Sequence, residues 1–439
     1  MELKKRPRVL FLAYSFPPIT AVASVRTWNI ATQLAKLGWD VTVVTVDPSI
    51  RRDVGDPENV STDLDRTGIK LILTGHRWRF LWASGLKCWN QSLGWLIGGV
   101  CRILARILGI DRHIGWIKEA ERACSNLCPK DVDVILATGS PFVAFRLARS
   151  LSDRLGRPYV LDYRDPWTAN PHHGDRALRP ATIREEASLL QGCAAVTIVS
   201  PSWGADLDRR YGVGVKTHVI TNGYDSNEIT TIKPQDFGHC AIVYTGNFYP
   251  PRRIISPFLT VLQCLKGSSG KANAEWYFHY YGGEGNHVSE QAAQLDLNDR
   301  IVLHGKVPRH EALSAVKGAS LAVVIVSIEE QASSDMAGMV PAKIFEAIGL
   351  GTPVLLIAPN GSDATTVTTS TGLVKSFTAS DTHGMALYVR SVIRGEAPKS
   401  ENIDAFSWQR ISRNLDAVLR QTVPSNDHAK LVGQQRESE

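Results

Sequence analysis

The sequence predicts an α/β protein of two domains, each a parallel sheet flanked by helices. Three observations carry this. Apolar runs near residues 8–14, 40–45, 132–137, 195–200, 241–245, 321–326 and 354–357 have the shortness and the Val and Ile content of strands buried on both faces. Stretches with helical spacing separate them, and such a strand, helix, strand alternation winds right-handed and presents ligands at the carboxyl ends of the strands. A polar interval at 224–239 interrupts the alternation about halfway. It divides the chain into domains at 1–223 and 240–400, followed by a helix at 401–420 and a polar, disordered tail at 421–439.

In the first domain, the strand at 8–14 feeds a loop containing Pro17 and Pro18, and a helix follows over 25–37 with Ser24 as its N-cap and Gly38 at its end. The strand at 132–137 precedes a helix over 142–155. The next strand, from 158, runs straight into Asp162, Arg164, Asp165 and Trp167. Three charges at a strand's carboxyl end have little structural purpose and face the ligand side of such a sheet. A helix at 181–191, the strand at 195–200 and a helix at 201–211 lead to Asn222 and Gly223, a turn by chemistry alone.

The second domain opens with the strand at 241–245. Gly246 and Asn247 follow it, where glycine permits close backbone approach, and Arg252 and Arg253 stand ahead of a helix as an anion clamp. Strands at 275–281, 301–305 and 321–326 continue the alternation. A polar loop then leads through Met339 and Val340 to Pro341, which suits the first turn of a helix. Ile344, Phe345 and Ile348 form its apolar face, Gly349 and Gly351 end it, and Lys343 and Glu346 are left on its first two turns. Such a helix N-terminus suits a phosphate. Glu346, one turn further in, suits two vicinal hydroxyls such as those of a ribose.

The 439 residues are 44% apolar and 21% charged, as in soluble globular proteins, and the net charge of +6 fits anionic substrates or an anionic membrane face better than nucleic acid. Seven cysteines without a C-x-x-C pair point to a reducing compartment and away from structural zinc. Asp63 with Asp65, Asp131 with Asp133 and Asp206 with Asp208 lie at no clear strand exit and read as solvated pairs, so no metal is implied. No apolar run reaches the roughly 20 residues of a membrane span, and the basic N-terminus lacks the apolar core of a signal peptide. Residues 92–110 are strongly apolar, with Arg102 and Arg106 four apart and several Trp around them. That is the pattern of an interfacial membrane helix, and also of a domain helix with snorkelling arginines.

The segment P-x-K-x-x-E-x-x-x-x-G-x-P-V at 341–354 resembles the nucleotide-sugar site of the retaining family 4 glycosyltransferases, in their bacterial polysaccharide-biosynthesis branch. D-x-R-D-P-W at 162–167 and the stretch 111–116 resemble the same branch. The resemblance implies two Rossmann-like domains facing each other across a cleft, the GT-B fold. It also implies sugar transfer with retention from a nucleotide-diphosphate sugar, without metal or cofactor. Arg252, Arg253, Lys343, Arg164 and Asp165 would be catalytic, and Gly246, Asn247, Met339, Val340 and Glu346 would hold the donor. Asp162, Trp167 and Arg26 would lie on the acceptor side. The sequence departs from the family pattern at four points. The first loop has no glycine, Asn247 replaces an arginine, with Arg252 in the place of a lysine, and Gly338 stands where a second Glu is usual. A lipid-linked acceptor and a cytoplasmic site at the inner face of the membrane, docked through 92–110, complete the expectation. The alternatives are a sugar-nucleotide epimerase of the same fold and a catalytically silent nucleotide-sugar-binding scaffold.

Overall fold

The computed structural model describes residues 6–20, 22–50, 64–77, 111, 113–170, 179–267, 275–396, 398 and 400–423. The chain forms two compact units, Met1–Val199 with Gly204–Ile220 and Ser412–Glu439, and Ser200–Trp203 with Thr221–Ile411.

Among the described residues, the first unit holds a seven-stranded sheet in the order β3-β2-β1-β4-β5-β6-β7. The strands are β1 (Arg8–Leu12), β2 (Asp40–Val46), β3 (Lys70–Thr74), β4 (Val134–Gly139), β5 (Tyr159–Tyr163), β6 (Ala195–Ile198) and β7 (Thr217–Val219). Every pairing is parallel. Central strands such as β4 and β5 are buried at every residue, so their residues are apolar except where a polar group such as Asp162 is paired inside. Edge strands are not buried throughout: β3 exposes Lys70 and Leu73 and β7 exposes Val219, so neither stood out from its neighbours.

The second unit holds a six-stranded parallel sheet among the described residues, in the order β10-β9-β8-β11-β12-β13. Its strands are β8 (Cys240–Thr245), β9 (Trp276–Tyr281), β10 (Ile301–Leu303), β11 (Leu321–Ile325), β12 (Val354–Ile357) and β13 (Val374–Phe377). Along β8 the side chains alternate between two cores. Ile242 and Tyr244 pack with Phe258 and Phe278, while Ala241 and Val243 pack with Ile344 and Phe345, the period of two that buries both faces of a strand.

Several boundaries differ from the sequence expectation. The first helix begins at Val22, so Ser24 is not its N-cap; it lies inside the helix, buried, with its hydroxyl unpartnered. Residues 224–239, read as a linker from their polarity, are built into the second unit. They form the helix Ser226–Thr231, capped by Asp225, and Lys317 donates to the carbonyls of Ile229 and Ile232. The last helix, Trp408–Thr422, belongs to the first unit from Ser412 onward, where Asp416 accepts the Trp39 indole N–H at 2.6 Å. The proposed membrane segment at 92–110 and the tail beyond 423 lie outside the described residues. Among those described, no helix is long and apolar enough to cross a membrane.

Candidate functional site

Strand order reverses between β8 and β11 in the second unit, and the loops leaving those two strands therefore part to either side and leave a crevice at their carboxyl ends. Gly246 leaves β8 with φ +102°, a conformation that side chains avoid, and a Cβ there would come 3.1 Å from the Lys343 ammonium. Lys343 donates to the Thr245 carbonyl at 2.6 Å and lies over the Tyr244 ring at 4.4 Å. Burial, reinforced by the positive charge of Arg253 and opposed by Glu346, lowers its pKa to about 7. Asn247 is exposed. Tyr249 and Arg253 exchange backbone hydrogen bonds of 2.8 and 3.0 Å, closing a tight loop that holds both arginines.

The two arginines are not unpaired. Arg252 lies 3.2 Å from Glu329 and 3.9 Å from Asp335, with its side chain 41% exposed. Arg253 stacks on Tyr249 at 5.2 Å and reaches the Val326 carbonyl. An arriving anion would compete with carboxylates for Arg252 but not for Arg253.

The helix Ala342–Gly349 starts directly after Pro341 and places Lys343 and Glu346 beside the β8 exit. Glu346 accepts from Arg309 at 2.6 Å, and Arg309 grips Glu228 with two bonds of 3.0 Å. Sequence reasoning missed Arg309 and Glu228. The available signal was a cation at the first position of a helix, where the dipole disfavours it. Thr245, Arg309, Lys343 and Glu346 rim a small recess of about 50 Å³ with apolar walls that include Leu313 and Val316. Val340 is buried in the core and Met339 packs against it. Gly338 has no room for a side chain, because a Cβ would collide with the indole of Trp203, which clusters with this unit. A carboxylate at that position is therefore sterically excluded.

In the first unit, Arg26 and Asp162 form a buried ion pair at 2.7 Å, 3% and 0% exposed. Thr138 and Thr197 each donate to Asp162 at 2.8 Å, and Arg26 also reaches the Ile220 carbonyl. Asp162, expected on the cleft side, is buried, and each of its lone-pair directions is taken by a protein donor. Burial works against its charge, but Arg26 and the hydroxyls prevail and lower its pKa. Arg164 bonds the carbonyls of Gly139 and Ser140, Asp165 is half-buried, and Trp167 stacks flat on Phe142 at 5.1 Å as part of the packing. Glu186, also missed, is buried among Thr168, Tyr163, Tyr211 and Arg210, and burial raises its pKa.

Among the described residues no three His, Cys, Asp or Glu side chains are arranged to hold a metal. Asp131 caps the backbone at Cys128, Asp133 pairs with Arg8, and Asp206 pairs with Arg209 and Arg210.

Residues 23–228 match Glycosyltransferase Family 4. No curated protein matches the chain by sequence. Solved structures share its fold. Sucrose-phosphate synthase from Thermosynechococcus elongatus is 15% identical with a TM-score of 0.57, covering 99% of each chain. HepE of Anabaena, in complex with UDP and glucose, is 16% identical with a TM-score of 0.52, covering 99% of this chain and 100% of its own. The lipopolysaccharide outer core galactosyltransferase WaaB, in apo form, is 11% identical with a TM-score of 0.55, covering 94% and 99%. Two parallel Rossmann-like units are thus the GT-B architecture, and the family match together with this fold supports a glycosyltransferase.

Proposed function

We propose that the chain transfers a sugar, with retention and without metal, from a nucleotide-diphosphate sugar to a lipid-linked or polysaccharide-precursor acceptor. The observation that carries this is the grouping of Gly246, Arg253, Lys343 and Glu346 at the strand-order reversal of the second unit. Glycosyl transfer builds negative charge on the departing diphosphate, and fixed cations at that point stabilise the transition state most. Arg252, Arg253 and Lys343 take that role, with the free N–H groups of the helix after Pro341 as additional donors. Lys343, with its pKa lowered to about 7, becomes fully charged once a diphosphate approaches. Gly246 and Asn247 give the backbone approach to the phosphates. Glu346 accepts hydrogen bonds from the ribose hydroxyls, while Met339 and Val340 border the nucleoside.

Arg164 and Asp165 act on the reacting sugar and acceptor, framed by the buried Arg26–Asp162 pair and the packed Trp167. The complex of HepE with UDP and glucose supports a nucleotide-sugar donor. Residues 92–110 would dock the protein at the cytoplasmic membrane face, where a lipid-linked acceptor lies.

The test is a panel of UDP-, GDP- and dTDP-sugars scored by thermal shift, followed by release of the nucleoside diphosphate with acceptor lipids. One donor should raise the melting temperature in a concentration-dependent way and turn over with retained anomeric configuration. Stabilisation by no sugar nucleotide, or an inverted product, would overturn the proposal.

A further inference from the structure

Arg309 opens the helix Arg309–Gly318 directly after Pro308, the end of a helix at which a cation is disfavoured. Two carboxylates offset this. Nε and Nη2 engage both oxygens of Glu228 at 3.0 Å each, and Nη1 donates to Oε1 of Glu346 at 2.6 Å. Glu228 is itself positioned, on the short helix capped by Asp225, whose carboxylate accepts from Asn227 N. The guanidinium fork is planar, so its bidentate hold on Glu228 fixes the direction from which Nη1 meets Glu346. Glu346 keeps Oε2 without a protein hydrogen bond among the described residues. All three side chains remain partly accessible, at 43% for Arg309, 34% for Glu228 and 22% for Glu346, and Arg309 and Glu346 share the recess with Lys343.

We propose that Arg309 is a positioning residue for the donor. Anchored on Glu228, it holds the Glu346 carboxylate in one orientation, so that its open oxygen meets the vicinal hydroxyls of the ribose. It thereby sets the preference for ribonucleotides over 2′-deoxyribonucleotides. A carboxylate fixed before the ligand arrives loses no rotamer freedom on binding, whereas a free one must be ordered at the cost of affinity. One guanidinium against two carboxylates leaves the triad with a net charge of −1, so the attraction for a diphosphate comes from Lys343 and Arg253. This inference rests on the reading that Glu346 holds the ribose, and the experiment separates the two.

Affinities of the full-length chain for UDP, 2′-deoxy-UDP, GDP and 2′-deoxy-GDP are measured by calorimetry in wild type, Glu346→Gln, Arg309→Met, Arg309→Lys and Glu228→Gln. Wild type should prefer the ribo form of its nucleotide by about tenfold or more, the worth of one charge-assisted hydrogen bond. Glu346→Gln should erase most of that preference. Arg309→Met should bring the ratio close to one with Glu346 still present, and Arg309→Lys and Glu228→Gln should fall between, since each keeps part of the clamp. A preference untouched by Glu346→Gln would sink the ribose reading itself, and this inference with it. A preference lost in Glu346→Gln but kept in Arg309→Met overturns the positioning role alone. Tighter ribonucleotide binding in Arg309→Met also overturns it, because Arg309 would then compete with the ribose. Should Arg309→Met fail to fold, Glu228→Gln decides, and an unchanged ratio there refutes the clamp.

Discussion

His279 should make the second unit acid-sensitive, and the structure sets the size of the effect. His239, His279 and His304 form a chain of imidazoles, with His239 Nε2 2.9 Å from His279 Nε2 and His279 Nδ1 2.9 Å from His304 Nε2. Phe237 packs on His279, and Tyr281 stacks flat on His304 at 4.0 Å. His279 is 4% exposed. Burial, and then the neighbouring His304 and His239, lower its pKa to about 4 from the ordinary value of 6.5. The folded state therefore resists a proton that the unfolded chain accepts. Above pH 6.5 neither state is protonated and stability is complete. Between pH 6.5 and 4 the unfolded state binds the extra proton, and stability falls by about 1.4 kcal/mol per pH unit, roughly 3 kcal/mol in all. The assay is urea unfolding at pH 7, 6, 5 and 4.5 for wild type and His279→Gln. A brief deuterium pulse at one fixed pH then reports the opening of the strand Trp276–Tyr281. The stability advantage of wild type at pH 7 should shrink steadily below pH 6.5, because glutamine does not titrate. An advantage that stays constant down to pH 4.5 would show that His279 is not held neutral by its surroundings.

Three further outcomes follow from the same physics. Arg252→Ala should lower turnover about 10²–10³-fold with stability almost unchanged, since its exposed pairs with Glu329 and Asp335 contribute little; preserved turnover in a steady-state assay would remove it from the diphosphate site. Asp162→Ala should cost about 3–5 kcal/mol in chemical denaturation, because it strands a buried Arg26, and a loss under 1 kcal/mol would mean that water reaches the pair. Replacing Arg102 and Arg106 with Glu should abolish co-sedimentation with anionic vesicles at low salt, each cation near such a surface contributing about 1 kcal/mol; equal absence of binding in both proteins would show that residues 92–110 do not dock on a membrane.

The sequence by itself determined the buried strands and the places where chemistry gathers. β4, β8, β11 and β12 are covered on both faces, so nearly every residue in them is apolar or paired, and that requirement is written locally as a short apolar run. The helix after Pro341 was legible for the same reason: proline, an apolar face at helical spacing and terminal glycines all act within a few residues. The edge strands β3, β7 and β13 were not legible, because half of each faces solvent and its composition is free to vary. The partners of the buried pair and of the site carboxylates were decided by the tertiary structure alone. Arg26 and Asp162 are 136 residues apart, Arg309 and Glu228 are 81 apart, and Arg309 and Glu346 are 37 apart. No periodicity records such distances. Whether Asp162 faces ligand or the interior depends on where Arg26, Thr138 and Thr197 come to rest, and that is settled only when separate strands and a helix pack around one point.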